Sequence, residues 1–104
     1  IPYEDHNTNS NFHLYVLQVN NNRKFDRYDL YNFLRSKGIL VMVHYIPIHL
    51  LSYYQQRYGH KRGDFPIAEN YYDRTISIPL YPSLTNDEVE KVVKNITSFV
   101  ESKY

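Results

Sequence analysis

The residues of this 104-residue chain best suited to chemistry are its five histidines, His6, His13, His44, His49 and His60. Imidazole can bind metals, move protons, and donate or accept hydrogen bonds near neutral pH. Two of them bracket the dense run His44-Tyr45-Ile46-Pro47-Ile48-His49. Pro47 keeps that pair off a common helical face, and with no cysteine and no H-E-x-x-H pattern in the chain a zinc site is not expected. Nor is a nucleophilic triad, since Ser10, Ser36, Ser52, Ser77, Ser83 and Ser98 all lie outside any G-x-S-x-G context. Gly38, Gly59 and Gly63 are the only glycines, too few and too scattered for a phosphate-binding glycine loop. What remains unexplained is the dense stretch from His44 to His49 itself, followed by Tyr53-Tyr54 and by the segments that open at Gly63 and at Ser77.

Tyr45 closes the apolar run Ile39 to Tyr45, which reads as a strand ended by Pro47, because proline lacks a ladder donor and fixes φ. Phe12 to Val19 is apolar on both parities and predicts a central strand covered on both faces. Thr75 to Pro79 predicts a third, short strand. Asp26 can N-cap a helix from Arg27 to Lys37, with Leu30, Phe33 and Leu34 at helical spacing and Gly38 as its left-handed exit. Leu50 to Tyr58 predicts a short Tyr-rich helix, and Pro66 at N1 opens another over Ile67 to Asp73. Thr85 and Glu88 form a capping box for Asn86 to Glu101, where Val89, Val92, Val93, Ile96, Phe99 and Val100 are expected to form one apolar face. Residues 1–11, interrupted by no apolar period, are an irregular lead-in, and Asn20-Asn21-Asn22 breaks the first strand. The order β-α-β-α-α-β-α predicts an α/β fold, in detail an α+β two-layer sandwich with about three strands packed under helices.

Composition narrows the function classes. Lys and Arg number 12 against 11 Asp and Glu, a net charge of +1 that gives no broad attraction to nucleic acid or anionic lipid. The apolar run from Gly38 to Val43 is far too short to span a bilayer, and the absence of cysteine suits a reducing compartment, so the cytoplasm is expected. Twelve tyrosines raise a rival reading, a stand-alone aromatic-rich module for nucleic acid or another protein. Stacking modules pair aromatics with a basic groove, however, and neither predicted strand at Phe12 or Ile39 carries Lys or Arg. The tyrosines, Tyr53-Tyr54 and Tyr71-Tyr72 among them, are therefore expected to be half-buried, with their hydroxyls at the surface.

Three motifs then stand in order: His44-Tyr45-Ile46-Pro47-Ile48-His49, Gly63-Asp64-Phe65-Pro66-Ile67-Ala68-Glu69, and Ser77-Ile78-Pro79-Leu80-Tyr81-Pro82. From about Phe12 to Phe99 this set resembles the C-terminal part of the DegT/DnrJ/EryC1/StrS aminotransferases, in particular the branch acting on UDP-4-keto-6-deoxy amino sugars in the pseudaminic acid pathway. The resemblance implies that residues 12–104 are a C-terminal small domain like that of fold-type I aminotransferases, without the large domain. In such enzymes the large domain holds pyridoxal phosphate on a lysine, glutamate donates the amino group, a nucleotide sugar accepts it, and the full-length protein is a homodimer. Lys24, Lys37, Lys61, Lys91, Lys94 and Lys103 lack the sequence pattern around the family's cofactor lysine, so no catalytic or cofactor-binding residue is expected in this chain and the fragment alone is expected to be inactive. The resemblance assigns substrate binding to His44 and Tyr45, with His49 nearby.

Each assignment has a structural counterpart. His44 and Tyr45 can also cap the edge of the core, and His49 can instead bond a backbone carbonyl. His13 and Tyr15 read as packing residues of the first strand. Pro66 and Pro79 read as architectural. Glu69 reads as an acid favourable to a helix N-terminus, with no catalytic role.

Overall fold

A computed structural model describes residues 3–20 and 24–104. Ile1 and Pro2 of the lead-in, and Asn21 and Asn22 of the expected strand break, lie outside the described residues. The elements are β1 (Tyr15–Gln18), α1 (Arg27–Ser36), a 3-10 turn (Ile48–Leu50), α2 (Ser52–Tyr58), α3 (Pro66–Arg74), β2 (Thr75–Ile78) and α4 (Asn86–Glu101). None of the described helices is long and apolar enough to cross a membrane.

Two reciprocal caps fix the main helices. Asp29 N–H donates to Asp26 Oδ1 at 2.9 Å while Asp26 N–H donates to Asp29 Oδ2 at 3.1 Å, satisfying donors that a helix start leaves open. Thr85 and Glu88 repeat the arrangement at α4. At the far end of α1, Gly38 takes φ +71°, which lets Ile39 N–H return to Leu34 O at 3.0 Å and aims the chain at the sheet. The Tyr-rich segment divides: Leu51 is extended between the 3-10 turn and α2, and the expected helix start moves from Leu50 to Ser52.

The sheet departs from the expected three strands. β1 and β2 pair antiparallel, with Tyr15 opposite Ile78 and Gln18 opposite Thr75. Ile39 to Tyr45 runs along the other edge of β2 but meets it at one bridge, where Met42 N–H donates to Ser77 O at 3.1 Å and Ser77 N–H to Met42 O at 2.8 Å. The next hydrogen-bonded pairs on that edge would need N–H groups from residues 79 and 75. Pro79 has none, and Thr75 gives its own to Tyr71 O at the end of α3. The third strand is thus reduced to a bridge by the chemistry of β2. The same arrangement makes β2 the central strand. Thr75, Ile76 and Ser77 are buried, whereas the first strand, expected to be central, lies at an edge with Tyr15, Val16 and Leu17 half-buried.

Leu34, Val41 and Ile76 are fully buried at the centre of the core, joined by Leu30, Ile39, Val92 and Phe99. Phe99 meets Phe25 edge-on at 4.9 Å and Phe33 at 4.8 Å, which locks α4 to α1. The apolar face of α4 is narrower than expected: Val92, Ile96, Phe99 and Val100 pack, but Val89 and Val93 are 42% and 55% exposed. The tyrosines also depart from expectation. Tyr54 and Tyr72 are half-buried, while Tyr53 and Tyr71 are exposed, together with Tyr28, Tyr45 and Tyr58.

Candidate functional site

His44 and Tyr45 follow the single bridge at Met42, at the point where the chain leaves β2. Their peptide bond is cis and their rings lie 4.6 Å apart. His44 is half-buried, and its Nδ1 stands 2.9 Å from Ser77 Oγ, a hydroxyl in the buried middle of β2. It faces a cleft of about 430 Å³ lined also by Met42, Pro79, Tyr81 and Lys91. Tyr45 is 67% exposed and faces a different, more apolar cleft of about 660 Å³, whose other walls are Pro47, Phe65, Pro66, Ile67 and Tyr71.

His49 turns inward. Pro47 ends the extended run, Leu50 N–H bonds Pro47 O at 2.8 Å, and the resulting 3-10 turn buries the imidazole. Its Nε2 lies 2.7 Å from Glu69 Oε1, and its ring packs on Phe65 at 4.7 Å. Its partner is thus a carboxylate, where a backbone carbonyl was the structural expectation. Glu69 is itself buried, and it also accepts the Gly63 N–H at 2.9 Å on each oxygen and the Phe65 N–H at 3.3 Å. Burial pushes this carboxyl up, but the bonds from His49, Gly63 and Phe65 outweigh it and hold the group below its ordinary value. In the same loop Asp64 is held low, chiefly by the Lys61 N–H and also by His60, whose Nδ1 is 3.3 Å away.

The structure therefore brings His44 and Tyr45 side by side at the surface and sets His49 behind them, in the interior. His13 is exposed and precedes β1; Tyr15 packs half-buried within it. Two residues escaped the sequence reading, Ser77 and Glu69. Ser77 opened a quoted motif but was considered only as a nucleophile and set aside, and Glu69 sat in a quoted motif but was read as a favourable helix-start charge. Its position four residues after Phe65, at the end of a Gly-Asp-Phe-Pro turn, was the available hint.

Among the described residues no three His, Asp or Glu side chains gather closely enough to hold a metal ion. A pyridoxal phosphate site needs a lysine amine held against the cofactor and buried donors for its phosphate. Lys24, Lys37, Lys61, Lys91 and Lys94 are exposed, Lys103 lies over the Phe99 ring, and the buried carboxylate of Glu69 is already bonded. By themselves the described residues offer neither part of a site that would fit that cofactor.

A small antiparallel sheet under α1 and α4 is the form of one segment of the solved aminotransferases that this chain matches. The chain belongs to the DegT/DnrJ/EryC1/StrS aminotransferase family, which it matches over residues 1–97. Enzymes of this family depend in general on pyridoxal phosphate. The chain is 42% identical over 92 residues to the spore coat polysaccharide biosynthesis protein SpsC of Bacillus subtilis, covering 86% of this chain and 24% of that one. Its fold matches Helicobacter pylori PseC, an aminotransferase involved in the biosynthesis of pseudoaminic acid, with TM-score 0.77 and 28% identity over 86% of this chain and 24% of PseC. It also matches a DegT DnrJ EryC1 StrS aminotransferase from Brucella abortus, with TM-score 0.67 and 27% identity over 84% of this chain and 22% of that one. The chain thus spans about a quarter of the length of these relatives.

Proposed function

We propose that residues 12–104 are the C-terminal small domain of a pyridoxal-phosphate-dependent aminotransferase, and that the whole enzyme, a cytoplasmic homodimer, transfers an amino group from glutamate to a nucleotide-linked keto-deoxy sugar. The cofactor, when bound to the large domain, supplies the carbon–nitrogen chemistry. The part given to this chain is to close one side of the cleft and to hold the sugar nucleotide. One observation carries this reading: the adjacent His44 and Tyr45 line two different clefts, in a stretch of chain where Leu40, Met42, Ile46 and Ile48 are all exposed. That much uncovered apolar area beside a polar pair favours a further surface packed against it.

In this reading Ser77 engages His44 Nδ1, which leaves Nε2 to meet a sugar hydroxyl or diphosphate oxygen. The Tyr45 ring offers a hexose its flat face and its hydroxyl. His49 serves from behind, as a support. The branch making UDP-linked amino sugars is favoured by the likeness to PseC.

The test uses the full-length protein that contains this chain, with pyridoxal phosphate, glutamate and a UDP-linked 4-keto-6-deoxy amino sugar. Repeated turnover to 2-oxoglutarate, beyond the one equivalent per site that the amino donor alone gives, is expected to depend on the sugar, and none is expected from the chain alone. Turnover by the isolated chain, or sugar-independent turnover by the whole enzyme, contradicts the proposal.

A further inference from the structure

The cleft beside Tyr45 has two walls from distant parts of the chain. Tyr45 and Pro47 form one, and Phe65, Pro66, Ile67 and Tyr71 form the other. Glu69 does not line it. Buried behind it, the Glu69 carboxylate bonds to both walls: to the first through His49 at 2.7 Å, and to the second through the Gly63 and Phe65 N–H groups at 2.9 and 3.3 Å. Each wall is stiff near its attachment. Between Tyr45 and His49 stand Pro47 and a 3-10 turn closed by Leu50 N–H to Pro47 O and Leu51 N–H to Ile48 O, at 2.8 and 3.0 Å. On the other side Pro66 follows Phe65 directly at the start of α3. Other bonds of the loop, among them Lys61 N–H and His60 Nδ1 to Asp64 and Arg62 to Asp73, tie it to itself and to α3. One carboxylate joins the two walls by hydrogen bonds, beside the packing of the His49 ring on Phe65 at 4.7 Å.

We infer that Glu69 is a positioning residue that sets the width of the Tyr45–Phe65 cleft and thereby the placement of Tyr45 against the sugar substrate. The inference rests on the function proposed above. Burying a charged side chain among exposed neighbours is costly unless its bonds are fully used, and here the carboxylate takes up a side-chain donor and two main-chain donors at once. A helix-start acid serving the dipole alone has no need of burial. With the carboxylate gone, the walls lose their hydrogen-bonded anchor and are left with the His49–Phe65 ring contact, which does not fix their spacing as directional bonds do, and a shift of about 1 Å is enough to cost on the order of 100-fold in rate where a substrate must be held in register.

The experiment is made on the full-length enzyme with Glu69→Gln, which keeps the shape and one acceptor oxygen, and Glu69→Asp, which keeps the charge but withdraws it. Two readouts are taken: sugar-substrate kinetics beside the reaction with the amino donor alone, and hydrogen exchange of peptides covering residues 44–50 and 61–66. A rise in KM for the sugar nucleotide of about 10-fold or more is expected in both variants, with the amino-donor reaction near wild type and faster exchange in both peptides but not in α1 or α4. If the wild-type enzyme turns over no sugar nucleotide, the function proposed above fails and exchange decides the anchor alone. Sugar KM within twofold of wild type, or unchanged exchange in either peptide, overturns the positioning role. Exchange rising throughout the chain also overturns it, by making Glu69 a general stability residue.

Discussion

His44 Nδ1 lies 2.9 Å from Ser77 Oγ, so an imidazole that lines a cleft is tethered to the buried middle of the central strand. The same serine exchanges both backbone hydrogen bonds with Met42, two residues before the histidine. Main chain and side chain of one residue therefore fix the approach and the orientation of His44. Ser77→Ala keeps the backbone bridge and removes the hydroxyl. The expected cost in stability is about 1 kcal/mol, read as a lowered denaturant midpoint, with a raised KM for the sugar nucleotide as the ring loses its orientation. An unchanged KM in a stable Ser77→Ala enzyme would show that the tether plays no part in substrate binding.

Acid should loosen the loop between α2 and α3. Glu69 and Asp64 are both held below the ordinary carboxylate value, Glu69 by its three donors against the opposing effect of burial, and Asp64 chiefly by the Lys61 N–H. A carboxyl depressed in the folded state contributes stability that is fully present above its unfolded pKa, about 4.3 for a glutamate, and is lost as pH falls through the lower folded value. Exchange of the 61–66 peptide, after correction for the intrinsic rate, is therefore expected to accelerate as pH falls below about 4. In Glu69→Gln the acceleration should be weaker. Equal acid sensitivity in wild type and variant would remove Glu69 as its source.

Two valines and a leucine separate burial from pattern. Leu34 is fully buried, whereas Val93 of α4 is more than half exposed although it neighbours the packed Val92. Leu34→Ala is expected to cost about 2–5 kcal/mol, and Val93→Ala to stay within about 0.5 kcal/mol of wild type. Urea midpoints check both. A large loss at Val93 would mean that its face of α4 is covered in the whole protein.

Much of the fold was legible because local chemistry marks it: Asp26 and Thr85 announced their helices, Gly38 its exit, and Pro66 the start of α3. What was not legible depended on partners far along the chain. The run Ile39 to Tyr45 has the apolar composition of a strand and meets β2 at Met42, but whether it makes a ladder was decided by Pro79 and by the Thr75 N–H that α3 takes. Nothing within the run announces that. At the site, the residue types of His44 and Tyr45 marked a polar pair at the end of an apolar run. The inward turn of His49 required knowing that Glu69, twenty residues later, would be folded against it. A glutamate near a helix start has an ordinary local explanation, and only the burial of its carboxylate sets this one apart.

The most direct measurement is the steady-state kinetics of His44→Ala and Tyr45→Phe in the full-length enzyme, with the sugar nucleotide and the amino donor varied separately. A substrate role predicts kcat/KM for the sugar nucleotide lowered about 10-fold or more, an amino-donor reaction close to wild type, and nearly unchanged denaturant midpoints. A marked drop in the midpoints with sugar kinetics unaltered would contradict it and make both residues part of the core's edge.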